Sequence, residues 1–233
     1  MTFPTRRGAL IGCGFFAQNH LHGWRDVAGA VIVAVCDTDR ARAEAAATAF
    51  GIPAVYSDAE AMLAETAPDF VDIATTPPSH RPLVDLACRH KTAVICQKPI
   101  ADTYEDARAM VAAAETAGVP FAIHENFRWQ KGFLLMKQAL DSGRIGLLHS
   151  GRFSFRHAYD VYANPPYLPA FERFALMDVG IHLYDLVRHF LGDVRSVACE
   201  LQTLKDGIAG EDAFTALLRH TSGAVTVVDC SFL

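Results

Sequence analysis

Six short apolar runs, at residues 8–11, 30–36, 54–56, 70–75, 92–97 and 119–124, alternate with helix-patterned segments at 16–27, 39–50, 58–64, 79–90 and 103–117. A strand that is apolar along its whole length needs cover on both faces, and a helix after each strand supplies it. The pattern predicts an α/β fold with a doubly wound parallel sheet. Beyond His124 the rhythm changes to a helix at 132–142, a long strand at 147–159 and a Pro- and aromatic-rich loop at 161–174. A second helix at 176–191 then precedes strands at 194–204, 212–220 and 224–233. Helices followed by consecutive strands predict an α+β domain with a mostly antiparallel open sheet. The boundary falls near Glu125, giving domains at 1–125 and 126–233. Because TVVDCSFL stops within an apolar strand pattern, the sheet reads as incomplete and C-terminally truncated, with its last strand as an apolar edge.

Composition narrows the partners. The chain has 233 residues, 51% of them apolar, and a formal net charge of -5. Its Arg and Lys residues are scattered, so no basic field exists to hold a nucleic-acid backbone. No run approaches the ~18 apolar residues of a membrane span. Arg6-Arg7 before ALIGCG imitates a twin-arginine signal, yet Gly12 and Gly14 interrupt well short of the roughly 7 to 15 apolar residues such a signal needs. The six cysteines form no C-x-x-C pair and sit mostly in apolar runs, which reads as buried thiols in a reducing, cytoplasmic compartment.

Gly12-x-Gly14-x-x-Ala17 follows the first strand and opens the first helix. Gly12 permits a tight turn, Gly14 lets backbone approach a pyrophosphate, and Ala17 allows close packing of helix on strand. Phe15 and Phe16 complete this turn. The second strand ends in Asp37, where a carboxylate can bind ribose hydroxyls and repel a 2'-phosphate, so NAD is favoured over NADP. Arg40, with Arg42, could reach a phosphate or could simply be solvated helix surface. Thr75, Thr76 and His80 follow the fourth strand, either facing the cofactor or serving as a plain helix cap. Gln97-Lys98-Pro99 follows the fifth. Its turn must aim the lysine back over the strand end, which predicts a cis Lys98-Pro99 peptide bond. In the second domain Asp178, His182, Asp185 and His189 recur at helical spacing on one face. The stripe is either a solvated face or a His-carboxylate general base. Grouping Asp178 and His182 with His20 and His22 as metal ligands is poor, because His20 and His22 belong to the first domain, so no metal is expected.

Together GCGFFA, the Asp-ended second strand, TTPPSH, CQKPI, HENFRW and DVGIHLYDL resemble the Gfo/Idh/MocA oxidoreductases, named for glucose-fructose oxidoreductase and inositol dehydrogenase. The resemblance spans essentially the whole chain. It implies a Rossmann domain followed by a domain whose open sheet binds substrate on one face and often a second subunit on the other, hence a homo-oligomer. The implied activity is oxidation of a sugar, cyclitol or polyol hydroxyl with NAD or NADP, or the reverse. By position Lys98, Asp178 and His182 are the implied catalytic residues, and Asn126 and Arg128 further substrate contacts. His182 would remove the hydroxyl proton, Lys98 stabilise the alkoxide and Asp178 orient the substrate. Gln97 stands where the family usually has Glu, and so lacks a charge that would help keep the lysine protonated. Two other readings stay open: a non-catalytic dinucleotide-binding regulator, and an NAD-assisted, redox-neutral glycoside-cleaving enzyme.

Overall fold

The computed structural model describes residues 4–163 and 168–232. Residues 164–167 of the predicted loop, and Leu233 at the end of the last predicted strand, lie outside the described residues. The chain divides into two compact units, Met1–His124 and Glu125–Leu233.

The N-terminal unit runs β1 (Arg6–Ile11), α1 (Ala17–Asp26), β2 (Ala30–Cys36), α2 (Arg40–Phe50), β3 (Ala54–Tyr56), α3 (Ala59–Thr66), β4 (Phe70–Ile73), α4 (His80–Arg89), β5 (Ala93–Cys96), α5 (Tyr104–Ala117) and β6 (Phe121–Ile123). All strands pair in parallel in the order β3-β2-β1-β4-β5-β6. Helix starts are set by short polar caps. Asp39 accepts from Ala41 N, Asp58 from Glu60 N and Ala61 N, and Thr103 from Asp106 N, each satisfying backbone donors that a helix leaves unpaired. The sheet is buried on both sides, as uniform apolarity requires. Ala9 and Ile11 enter one core with Val71, Ile73 and Met62, while Leu10 enters the opposite core with Leu21, Val35 and Ala43. Strand order reverses between β1 and β4, so their carboxyl ends, carrying Gly12 and Thr75, flank the crevice where such sheets bind ligands.

The C-terminal unit comprises α6 (Lys131–Asp141), β7 (Ser150–Arg156), a wide π turn (Leu176–Gly180) running into α7 (Ile181–Leu191), β8 (Val194–Gln202), β9 (Ala213–His220) and β10 (Val225–Ser231). Its sheet has the order β7-β10-β9-β8. Strand β10 is parallel to β7 and antiparallel to β9, and β9 is antiparallel to β8. The last strand is therefore interior, which corrects the expectation that it forms an edge. Its hairpin with β9 covers one side, and β7, far away in sequence, covers the other. Inward residues Phe214, Ala216, Val228 and Cys230 receive Val179, Leu183 and Val187 from the π turn and α7. Between them Thr215, Leu217 and Arg219 point outward and are exposed.

All six cysteines are free. Five are buried as expected. Cys199 instead lies exposed on the edge strand β8, because that strand is covered on one side only. Burial, aided by Asp37, pushes the Cys13 thiol up to about 12, so it is an inert packing group. Among the described residues no helix is long and apolar enough to cross a membrane.

Candidate active site

The β1-α1 turn is built around a glycine whose backbone angle and close neighbours disfavour any side chain. Gly12 has φ +92°, and a Cβ there would lie 2.7 Å from Thr75 Cγ2 and 2.9 Å from the Ala74 carbonyl carbon. A Cβ on Gly14 would meet no atom within 4 Å. The protein itself gives no packing reason for a small residue at Gly14, but an approaching diphosphate does. Helix α1 begins just beyond with no side-chain cap at Phe16, leaving its first N-H groups as an anion site. Phe15 is 92% exposed and Phe16 47% exposed beside that opening. Asp37 braces the turn, its carboxylate accepting from Cys13 N at 2.7 Å and Asp39 N at 2.8 Å. These features fit a dinucleotide phosphate and ribose. Arg40 pairs with Glu44 at 2.8 Å and Arg42 with Asp39 at 3.3 Å, both well exposed on α2.

Beyond β4, Ser79 Oγ donates to Thr75 Oγ1 at 2.7 Å and so orients that hydroxyl, while Thr76 is exposed. His80 is fully buried, with its ring nitrogens 3.1 Å from Thr75 O and 3.2 Å from Ile100 O. It shapes the threonine turn from below.

The Lys98-Pro99 bond is cis, as the turn requires. The preceding Gln97 side chain is buried and turned inward, where Oε1 accepts from the Lys98 backbone N-H at 2.6 Å and Nε2 meets His20 Nε2 at 2.9 Å. Behind it lies an array spread over several elements. His20 Nδ1 lies 3.0 Å from both oxygens of Asp72, Trp24 Nε1 donates to Asp72 at 2.7 Å, and His124 Nε2 approaches it at 3.1 Å. Asp72 is fully buried within β4. Burial alone would raise its carboxyl, but the hydrogen bonds from His124 and His20 reverse this and hold it well below the carboxylate range. Thus His20 joins Asp72 and His124, whereas the ring of His22 lies 4.9 Å from that of Phe50. Neither Asp72 nor His124 stands out in the sequence by spacing. The usable signal was an aspartate inside an apolar run, which must find donors when buried.

In the C-terminal unit the polar stripe faces inward, so it is not a solvated face. His182 is 6% exposed, and its Nδ1 lies 2.7 Å and 2.9 Å from the two oxygens of Glu125. Phe127 stacks on the imidazole, with centroids 4.1 Å apart and planes within 4°, and its N-H donates to Glu125 at 2.9 Å. A tight 3-10 turn at Phe127–Trp129 makes both contacts possible. Burial would raise the Glu125 carboxyl. Bonds from His182 and the Phe127 N-H, with the charge of Arg128, bring it below its usual value. Arg128 clamps Asp185 through two hydrogen bonds, one of 2.7 Å from Nε. Asn126 is exposed, and Asp178 is half-buried in the π turn. Glu125 is the residue that sequence reasoning overlooked, although its place in HENFRW beside Asn126 and Arg128 was the available signal.

Residues 6–125 match the family model described as the oxidoreductase family with an NAD-binding Rossmann fold, and residues 133–233 match the GFO/IDH/MocA C-terminal domain. The chain is 56% identical over 226 residues to a D-apiose dehydrogenase of Paraburkholderia graminis, covering 97% of this chain and 60% of that protein. It is 48% identical over 232 residues to a D-apiose dehydrogenase of Rhizobium rhizogenes, covering 100% of this chain and 67% of the relative. Among solved structures, an oxidoreductase from Agrobacterium radiobacter in complex with NAD+, L-tartaric acid and magnesium superposes with a TM-score of 0.95 at 49% identity, covering 98% of this chain and 67% of that one. The chain thus spans about three-fifths to two-thirds of the length of these relatives.

Proposed function

The chain belongs to the Gfo/Idh/MocA oxidoreductase family, and from that premise we propose that it acts in an NAD-dependent dehydrogenase that oxidises a hydroxyl of D-apiose or a closely related polyhydroxylated sugar. The observation that carries this reading is the Glu125-His182 pair. With the ring neutral, Nδ1-H donates to the Glu125 carboxylate, so the lone pair resides on Nε2, the atom that takes the hydroxyl proton. Phe127 fixes the ring plane, and the ionised Glu125 stabilises the imidazolium once the proton has moved. Lys98 stabilises the developing alkoxide, and Asp178 with Arg128 and Asn126 orients the sugar hydroxyls. The cofactor, when bound, supplies the hydride acceptor. Gly12, Gly14, Phe15 and Phe16 with the N-terminus of α1 would hold its diphosphate, Asp37 its adenine ribose, and Thr75 and Thr76 its far end, with Gln97 turned inward behind the Lys98 turn. Asp37 supports NAD over NADP.

A binding-only regulator would need no paired base, so the Glu125-His182 pair favours the enzyme over that alternative. Six thiols without a disulfide among them support a reducing, cytoplasmic compartment. The exposed outer face of the β7-β10-β9-β8 sheet is the surface we assign to a second copy of the chain. The test is NADH formation against a panel of D-apiose, other sugars, inositols and sugar acids. Net NADH with D-apiose at the highest kcat/KM supports the reading. NAD-dependent turnover without net NADH would replace it with redox-neutral chemistry, and binding of NAD with no turnover on any member would replace it with regulation.

A further inference from the structure

We propose that Gln97 is a positioning residue that fixes the tautomer of the buried His20 and thereby anchors the Lys98 turn to the Asp72 array. The inference rests on the reading of Lys98 as a catalytic residue, and it starts from a donor that cannot change. The backbone N-H of Lys98 lies 2.6 Å from one end of the Gln97 amide, so that end must be the oxygen. The NH2 end then faces His20 Nε2 at 2.9 Å, and two N-H groups cannot meet at that distance, so Nε2 must be the bare, accepting nitrogen. A neutral ring with bare Nε2 carries its proton on Nδ1, which lies 3.0 Å from both oxygens of Asp72. Asp72 takes this N-H together with those of Trp24 and His124, which suits an ionised carboxylate. Every proton in the chain from Lys98 N to Asp72 is thus determined by its neighbour. Turning the Gln97 amide over would break both of its bonds at once.

The groups facing His20 come from every element around it. They are Asp72 of β4, His124 beyond β6, Gln97 beyond β5 and the Phe16 ring at 5.6 Å; Trp24 of its own helix shares the Asp72 carboxylate. Only Asp72 is an anion. A carboxylate in place of the Gln97 amide would still accept from Lys98 N, but its other oxygen would require a proton on His20 Nε2. Gln97→Glu therefore converts a neutral His20 into an imidazolium held between two carboxylates, whereas Gln97→Met removes both bonds and leaves the tautomer unassigned.

Nitrogen-15 NMR of the His20 ring, with amide exchange at Lys98, decides the matter. In the wild type we expect a protonated Nδ1 and a bare Nε2 at pH 7. In Gln97→Glu we expect protons on both nitrogens at pH 7. In Gln97→Met the Lys98 amide should exchange roughly tenfold faster, reflecting the loss of one buried hydrogen bond. A wild-type His20 protonated on Nε2, a neutral His20 in Gln97→Glu, or unchanged Lys98 exchange in Gln97→Met would each overturn the proposal. If Gln97→Glu does not fold, the wild-type tautomer decides alone. None of these readouts uses turnover, so their failure would leave the dehydrogenase reading standing, and an inactive protein with the expected tautomer would remove that reading instead.

Discussion

Asp72 places a carboxylate in the middle of an apolar parallel strand, a position that is tolerable only because three donors converge on it. Removing the charge leaves those donors facing an amide that cannot accept from all of them. Asp72→Asn should cost about 3–5 kcal/mol in denaturant unfolding, the usual penalty for breaking a buried ionic cluster. Since the folded carboxyl lies below its unfolded value, its contribution is complete above about pH 4 and is lost as pH falls below that. Wild-type stability should therefore drop on acidification more steeply than that of Asp72→Asn, and parallel curves would contradict this. The role proposed for Asp37 is toward the ligand instead. Its fixed carboxylate should make NAD bind at least about tenfold more tightly than NADP, a difference near 1.4 kcal/mol. Titration of both cofactors into Asp37→Ala should show that preference largely gone, whereas an unchanged ratio would remove the argument.

Among the elements, the β1-α1 turn and the packing of α7 on its sheet are the most exacting. Gly12→Ala puts a Cβ into Thr75 and the Ala74 carbonyl at positive φ, which should cost more than the ~1–2 kcal/mol of left-handed strain alone and weaken NAD binding with it. Calorimetry of the variant with and without NAD checks both. Phe214, 1% exposed beneath the π turn, should lose about 3–5 kcal/mol on truncation to Ala. The elements themselves were largely legible, because apolar runs, Asp and Thr caps and the C-terminal glycines Gly51 and Gly118 are local signals. Pairing was not. Strand β10 lies between β9, its hairpin partner, and β7, some 70 residues earlier, and no local pattern announces that parallel contact. The polar stripe was legible as a spacing, but whether it faces solvent or protein depends on Glu125 and Phe127, which lie about 55 residues away from His182.

At the scale of the molecule, the chain forms two units with separate cores, one with the dinucleotide-binding fold and one carrying the Glu125-His182 pair. The Rossmann reading was legible because its glycines and Asp37 are confined to one strand-helix-strand segment. The buried array was not, because His20, Asp72, Gln97 and His124 come from four parts of the chain. If the outer sheet face holds a second copy, Leu217→Lys should shift the species seen by light scattering toward monomer, and an unchanged mass would place the contact elsewhere. The central claim is that His182, polarised by Glu125, takes a proton from a sugar hydroxyl. The most direct test is kcat for D-apiose oxidation by Glu125→Gln, with NAD affinity measured on the same samples. We expect a loss of about a hundredfold or more in kcat, the scale of a positioned general base, with NAD affinity unchanged. A kcat within about twofold of wild type, against that expectation, would contradict it.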